Sequence, residues 1–152
     1  AFDQYFSPAL AAGNWSDVTL ALSGSRQPGS SRAPKTTALY ESLGEDATSM
    51  VMGTAYFSVL SPHARLKAHT GPTNIRLRCH IGLSVPAGAA MRVGNETRQW
   101  IDGGAIVFDD SFEHEVWNSC SSERVVFQVV IRHPDLQWED PRTYTPVIVD
   151  AH

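Results

Sequence analysis

NIRLRCHIGLSV, residues 74–85, is the stretch on which the reading of the fold turns. Its apolar side chains recur at every second position: Ile75, Leu77, Cys79, Ile81, Leu83 and Val85. A strand has a period of two, so these share one face, and Arg76, Arg78, His80, Gly82 and Ser84 share the other. Two readings are open. In the ordinary one the apolar face packs on a core and the charged face meets water. In the other the strand belongs to a barrel, the charged face looks into the lumen, and the apolar face packs outward against flanking elements. Gly82 beside His80 favours the second, because a glycine inside a strand marks a close approach to the backbone.

Outward from this stretch, short alternating or apolar runs recur between turn residues. They are AYFSVLS (55–61), RLKAHT (65–70), AAMRVG (89–94), AIVFDD (105–110), EHEVWN (113–118) and ERVVFQVVIR (123–132), with VTLAL (18–22) before them. Strands at such close, regular spacing predict an antiparallel sandwich or barrel, here a small jelly roll. Residues 3–12 read as a short helix ended by Gly13, and TTALYESL (36–43) as one or two helical turns closed by Gly44. SGSRQPGSSRAP (23–34) reads as a mobile loop. The expected architecture is one all-β domain over residues 1–152 with a short helical N-terminal flank.

The chain has 152 residues and 42% hydrophobic content, enough for a core in one domain. A formal net charge of −4 without a long basic block argues against nucleic acid or an anionic membrane surface as partner. No apolar run approaches membrane-spanning length, and AFDQYFSPAL (1–10) lacks the charged and apolar regions of a signal peptide, so a cytoplasmic location is expected. Cys79 and Cys120 do not make a disulfide framework.

A second charged cluster lies in FDDSFEHEVWNS (108–119), with Asp109, Asp110, Glu113, His114 and Glu115. AIVFDD reads as the end of a buried strand, and His114 sits just inside the next. His69 ends another strand before a turn. Two histidines at the ends of separate barrel strands suit a non-haem Fe(II) site, whose usual ligands are two imidazoles and a carboxylate. The carboxylate is missing from the local triplet His69-Thr70-Gly71.

At this point the residues resemble a known family. FSVLSPHARLKAHTGPTNIRLRCHIGL, VGNETRQW and FDDSFEHEVWN, followed by ERVVFQVVIRHPDL, are similar to the aspartyl/asparaginyl β-hydroxylases. WSDVTLALSG and APKT fit as well, and the resemblance runs from about Trp15 to Leu136. It implies a double-stranded β-helix of cupin-like form and an oxidoreductase using Fe(II), 2-oxoglutarate and O2. His69 and His114 correspond to the iron ligands, with Gly71 where other oxygenases place the acid. Ser58 and Arg124 match the pair holding the distal carboxylate of 2-oxoglutarate. Arg78 and His80 match groups near its C1 end, and Trp15 a residue lining it. Arg76 matches a substrate arginine, and Asp110 an acid close to the metal. Two departures stand out. No arginine occurs in SPALAAGN (7–14), where the animal protein hydroxylase has one a few residues before the tryptophan, and Leu60 replaces a methionine.

The chemistry of the residues points the same way. A dicarboxylate needs charge-assisted partners, which arginine supplies in planar, bidentate form. An arginine turned into a barrel without an anion is costly, so inward arginines predict one. The charged face of residues 76–80 is therefore expected to look into the lumen. The expected function is a dioxygenase hydroxylating an unactivated C–H of a small, carboxylate-bearing substrate, releasing succinate and CO2. The small size follows from the 14 residues before Trp15, against the helical-repeat domain of relatives that act on folded proteins. Alternatives are hydroxylation of peptides or proteins, halogenation with chloride in the third ligand's place, and a non-catalytic cupin-like binding module.

Overall fold

The computed structural model describes Asp3–Gln4 and residues 8–136. Strands β1 (Asp3–Gln4), β2 (Leu10–Ala12), β3 (Trp15–Leu22) and β4 (Ser25–Arg26) precede three short helices, α1 (Gly29–Arg32), α2 (Pro34–Glu41) and α3 (Glu45–Thr48). Then follow β5 (Thr54–Leu60), β6 (Arg65–His69), β7 (Arg76–Ser84), β8 (Ala89–Val93), β9 (Glu96–Gln99), β10 (Ala105–Phe108), β11 (His114–Asn118) and β12 (Arg124–Arg132). They form two antiparallel sheets. One runs β1-β3-β5-β12-β7-β10, with β4 hairpinned onto β3, and the other runs β2-β6-β11-β8-β9. This is the expected double-layered β fold.

β7 is inverted relative to an ordinary half-wet strand. Arg76, His80 and Gly82 are buried, while Leu83 is 47% exposed. The cause is the helical layer. The outer face of the larger sheet packs Val18, Leu20, Ala55, Phe127 and Val129 against Tyr40 and Ala47 of the helices, with Ile81 of β7 joining them. That face is apolar because helices cover it. A second cluster fills the space between the sheets with Leu60, Leu66, Met91, Trp100, Phe108, Val116 and Val126. The buried polar side chains of β5, β7 and β12, Ser58, Arg76, His80, Arg124 and Gln128, lie in the same interior.

Several local expectations are corrected. The helix expected over 3–12 is instead two strand pieces, β1 on β3 and β2 on β6, with residues 5–7 outside those described. Pairing with a sheet edge overrides the helical preference of the Ala-rich segment. Residues 23–34 are not a mobile loop. Ser23 and Gly24 take positive φ and turn β3 into β4, and Gly29 is packed so closely that a Cβ there would meet the Thr19 carbonyl oxygen at 2.3 Å. Gly82 does mark a close approach, but of protein: an added Cβ would lie 2.2 Å from the Ile101 carbonyl oxygen. AIVF (105–108) is an edge strand with Val107 52% exposed, so only one face of it, Ile106 and the buried Phe108, packs on the core.

Candidate active site

β6 and β11 are neighbours, and their register pairs His69 directly with His114. The two rings lie with centroids 4.2 Å apart. His69 Nδ1 is 2.8 Å from the Lys67 carbonyl oxygen, and His114 Nδ1 is 2.9 Å from that of Phe112. A carbonyl can only accept, so both Nδ1 atoms carry the hydrogen and both Nε2 atoms keep lone pairs. This is the tautomer a metal needs. Burial holds the His114 imidazole below its ordinary pKa, helped by the neighbouring His69 and opposed by the Phe112 carbonyl, which favours the neutral form.

Asp110, in the turn before β11, is fully buried. Its backbone carbonyl accepts a hydrogen bond from Gly71 N–H at 2.6 Å. A Cβ on Gly71 would stand 2.5 Å from the Asp110 carboxyl carbon. The space a third ligand's side chain would leave through is therefore occupied by a different carboxylate. Asp110 Oδ2 accepts from Arg78 Nε at 2.5 Å and Arg76 Nη2 at 3.2 Å, whereas Oδ1 has no partner among the described residues. Among those residues no three His, Cys, Asp or Glu side chains gather closely enough to enclose a metal by themselves. An ion here would be held by two imidazoles and completed by groups from outside the chain.

A cavity of about 90 Å³ opens beside the histidines, lined by Trp15, Arg78, His80 and Arg124 together with Tyr56 and Gln128. Leu66, Phe108 and Val116 form its apolar wall. Arg124 is 1% exposed, and its Nε and Nη1 have no hydrogen-bond partner among the described residues. Ser58 Oγ stands 3.4 Å from Nη2, and the face of Trp100 lies 5.0 Å from the guanidinium carbon. Burial lowers its pKa to about 10. Ser58 also accepts from Trp15 Nε1 at 2.9 Å. His80 is buried with both ring nitrogens lacking hydrogen-bond partners of good geometry. Burial first, and then Arg124, Arg78 and His114, push its pKa well down. Two buried polar side chains short of partners and aimed at one small cavity describe a site built for an anion.

Trp15, Ser58, His69, Arg78, His80, Asp110, His114 and Arg124 thus gather round one point of the fold. Arg76 is turned inward as expected, but it is held between the Met52 carbonyl, at 3.1 Å, and Asp110, and it does not line the cavity. Tyr56 and Gln128 were not singled out from the sequence. Tyr56 Oη donates to Gln128 Oε1 at 2.6 Å and accepts from Arg78 Nη1 at 3.4 Å, so the pair props Arg78 from behind. Their signal was present in the period of two, since Tyr56 shares the face of Ser58 and Gln128 that of Arg124.

The fold and this two-histidine centre define a cupin-like double-stranded β-helix. Consistent with that, the structure of a predicted oxalate decarboxylase from Thermotoga maritima superposes with a TM-score of 0.56 at 10% identity, covering 87% of this chain and 94% of its own. At the level of sequence, the family described as Aspartyl/Asparaginyl beta-hydroxylase matches residues 1–134, and the chain belongs to it. The mouse aspartyl/asparaginyl beta-hydroxylase is 44% identical over 133 residues, 86% of this chain but 18% of that protein. Human aspartate beta-hydroxylase domain-containing protein 2 is 41% identical over 82% of this chain and 35% of its own length. The chain therefore spans about a fifth to a third of the length of these relatives. No helix among the described residues is long and apolar enough to cross a membrane.

Proposed function

We propose that this chain is a 2-oxoglutarate-dependent hydroxylase centred on His69 and His114. The observation that carries the reading is Arg124, a fully buried guanidinium with two unpartnered nitrogens, set in the cavity that also receives both imidazoles. The donor set fits both groups. Two Nε2 lone pairs on a rigid cross-strand pair suit Fe(II), and a buried arginine with Ser58 suits a carboxylate. When bound, the iron and 2-oxoglutarate would supply the oxidising chemistry, with succinate and CO2 as co-products.

The protein's own part is placement and exclusion of water. His69 and His114 hold protons at Nδ1 against backbone carbonyls and so present fixed Nε2 atoms. Arg124 and Ser58 would hold the distal carboxylate, with Arg78 and His80 toward the other end and Trp15 beside it. Phe108, Leu66 and Val116 keep that end of the cavity dry. Asp110 offsets one of the two arginine charges, Arg76 and Arg78, beside the site. It also fills the space against Gly71, where a halogenase would need to admit chloride, and that occupancy disfavours halogenation.

The substrate in this reading bears a carboxylate or amide at the reacting end, in line with the printed names of the relatives. A hollow of about 300 Å³ adjoins the cavity through Trp15, Tyr56 and Arg78 and extends past Asp17, Thr19 and Leu22, room for a group of amino-acid size. A small-molecule partner and a residue within a peptide are both accommodated by this class. The test is succinate formation with Fe(II) and 2-oxoglutarate, offered either free aspartate or a short aspartyl peptide, with product mass as readout. His114→Ala is expected to abolish iron retention and turnover. Wild-type turnover in that variant would overturn the assignment.

A further inference from the structure

Leu66 and His69 both line the cavity, yet they lie three positions apart on one strand. In an unbroken strand an odd separation puts two side chains on opposite faces. A bulge resets the parity. Between the pairs His114↔His69 and Val116↔Leu66, two steps on β11 match three on β6, so Lys67 and Ala68 together oppose Glu115. The extra residue turns His69 inward. It also frees a carbonyl: Lys67 gives its N–H to Ala9 O at 2.8 Å, on the side away from β11, and its C=O takes the His69 Nδ1 hydrogen.

On the outer surface the residue opposite the bulge is anchored on both sides. Glu115 Oε2 accepts from Arg65 Nη2 of β6 at 2.9 Å, and Oε1 from Arg92 Nε of β8 at 2.8 Å. Arg92 reaches on to Glu113 at 2.9 Å and to the Gly94 carbonyl at 2.6 Å. The Glu115 side chain is 17% exposed, beneath an Arg65 that is 61% exposed. Three strands are thus tied together at the point where their register breaks, one residue from His114.

We propose that Glu115 is a positioning residue for the metal pair. By tying β6 and β8 to the position opposite the bulge, it holds the bulge in place and keeps His69 turned toward His114 with its Nδ1 hydrogen on Lys67. The inference rests on reading His69 and His114 as metal ligands. Exposed ion pairs contribute little to global stability, so the signature is local, in metal affinity and in the state of one imidazole.

The test uses the full chain free of metal, with Co(II) as the probe and its visible absorption as readout. Glu115→Ala is expected to weaken Co(II) binding by about tenfold, the lower range for residues that orient metal-bound histidines, and Glu115→Gln by less. Arg98→Ala breaks the Glu96–Arg98 pair on β9, away from the bulge, and should change nothing. In the metal-free protein, the ring nitrogen shifts of His69 should move from one fixed tautomer toward a mixture in Glu115→Ala. If Glu115→Ala fails to fold, Arg65→Ala removes one arm of the tie and carries the same expectations. Wild-type Co(II) affinity together with an unchanged His69 tautomer would overturn the proposal, whatever the melting temperature does. If the wild-type chain does not bind Co(II), the metal-pair reading fails, and the tautomer measurement alone decides whether Glu115 positions His69.

Discussion

Arg124→Met separates the stability of the ligand-free barrel from its ability to bind 2-oxoglutarate, and the two should move in opposite directions. Burial lowers the Arg124 guanidinium from its ordinary value to about 10. At about 1.4 kcal/mol per pKa unit, keeping it charged at neutral pH costs roughly 3 kcal/mol. The face of Trp100, 5.0 Å away, returns about 1–2 kcal/mol of this as a cation–π contact. The Ser58 contact at 3.4 Å is too long to add much. Methionine keeps most of the volume and needs no partner. The ligand-free variant is therefore expected to be as stable as the wild type or about 1–2 kcal/mol more stable, as when other buried charges give way to apolar side chains.

Binding goes the other way. Losing the charge-assisted partner of a carboxylate should weaken 2-oxoglutarate by about 1.5–3 kcal/mol, a factor of roughly ten to more than a hundred. Urea melts with and without 2-oxoglutarate read both quantities. At a concentration about 100-fold above the wild-type Kd, the ligand should stabilise the wild type by about 2.7 kcal/mol and Arg124→Met by only about 0.3–1.3 kcal/mol. A variant destabilised by more than about 2 kcal/mol that still gains the full increment from 2-oxoglutarate would make Arg124 a structural cation and refute the reasoning, since burying an ion that the core requires is the opposite case.

Gly71→Ala should destabilise the protein by about 1–3 kcal/mol through overpacking against Asp110. Asp110→Ala should cost about 3–5 kcal/mol by stranding Arg76 and Arg78. The double variant, measured by urea unfolding, should cost less than the two singles together, because the clash that makes Gly71 necessary is gone; additive losses would show that Asp110 is not what excludes a side chain there. The metal-free protein should lose stability on acidification. His80 and His114 have folded pKa values pushed below the ordinary one, so below about pH 6.5 the unfolded chain binds more protons and stability falls, by up to about 1.4 kcal/mol per pH unit for each group. His80→Gln should flatten that slope in melts between about pH 5 and 7.5, the range over which an ordinary imidazole titrates, and parallel curves would show that His80 is not held neutral.

The sequence made the sheet elements and the two histidines legible because both rest on short-range pattern. A period of two locates strands and groups side chains by face, but it does not say which face is inside. For residues 74–85 the deciding fact lies elsewhere in the chain, in the helices that supply Tyr40 and Ala47 as cover for the apolar side. β9, Glu96–Gln99, escaped notice because every residue is exposed and no apolar alternation marks it. Arg76 shows the same limit in a finer form. Parity gives it the inward direction of Arg78 and His80, and it is buried on the same Asp110 oxygen as Arg78, but the Met52 carbonyl that also holds it comes from a loop 24 residues away and carries no signal in the strand pattern.

The same limit applies to His69, and it shows where pattern reading stops. Counting by twos from Leu66, which is buried, sends His69 to the outer surface, and only the extra residue at Lys67–Ala68 brings it back. Nothing in RLKAHT announces a bulge: there is no glycine, and the run alternates adequately without one. The bulge exists only as a relation between β6 and β11, and it becomes visible when their register is counted. A site whose ligands meet across strands can therefore have each ligand legible in sequence while the feature that aims one of them is not. In this chain that feature leaves its trace in the outward charges around Glu115, which lie on the face opposite the chemistry.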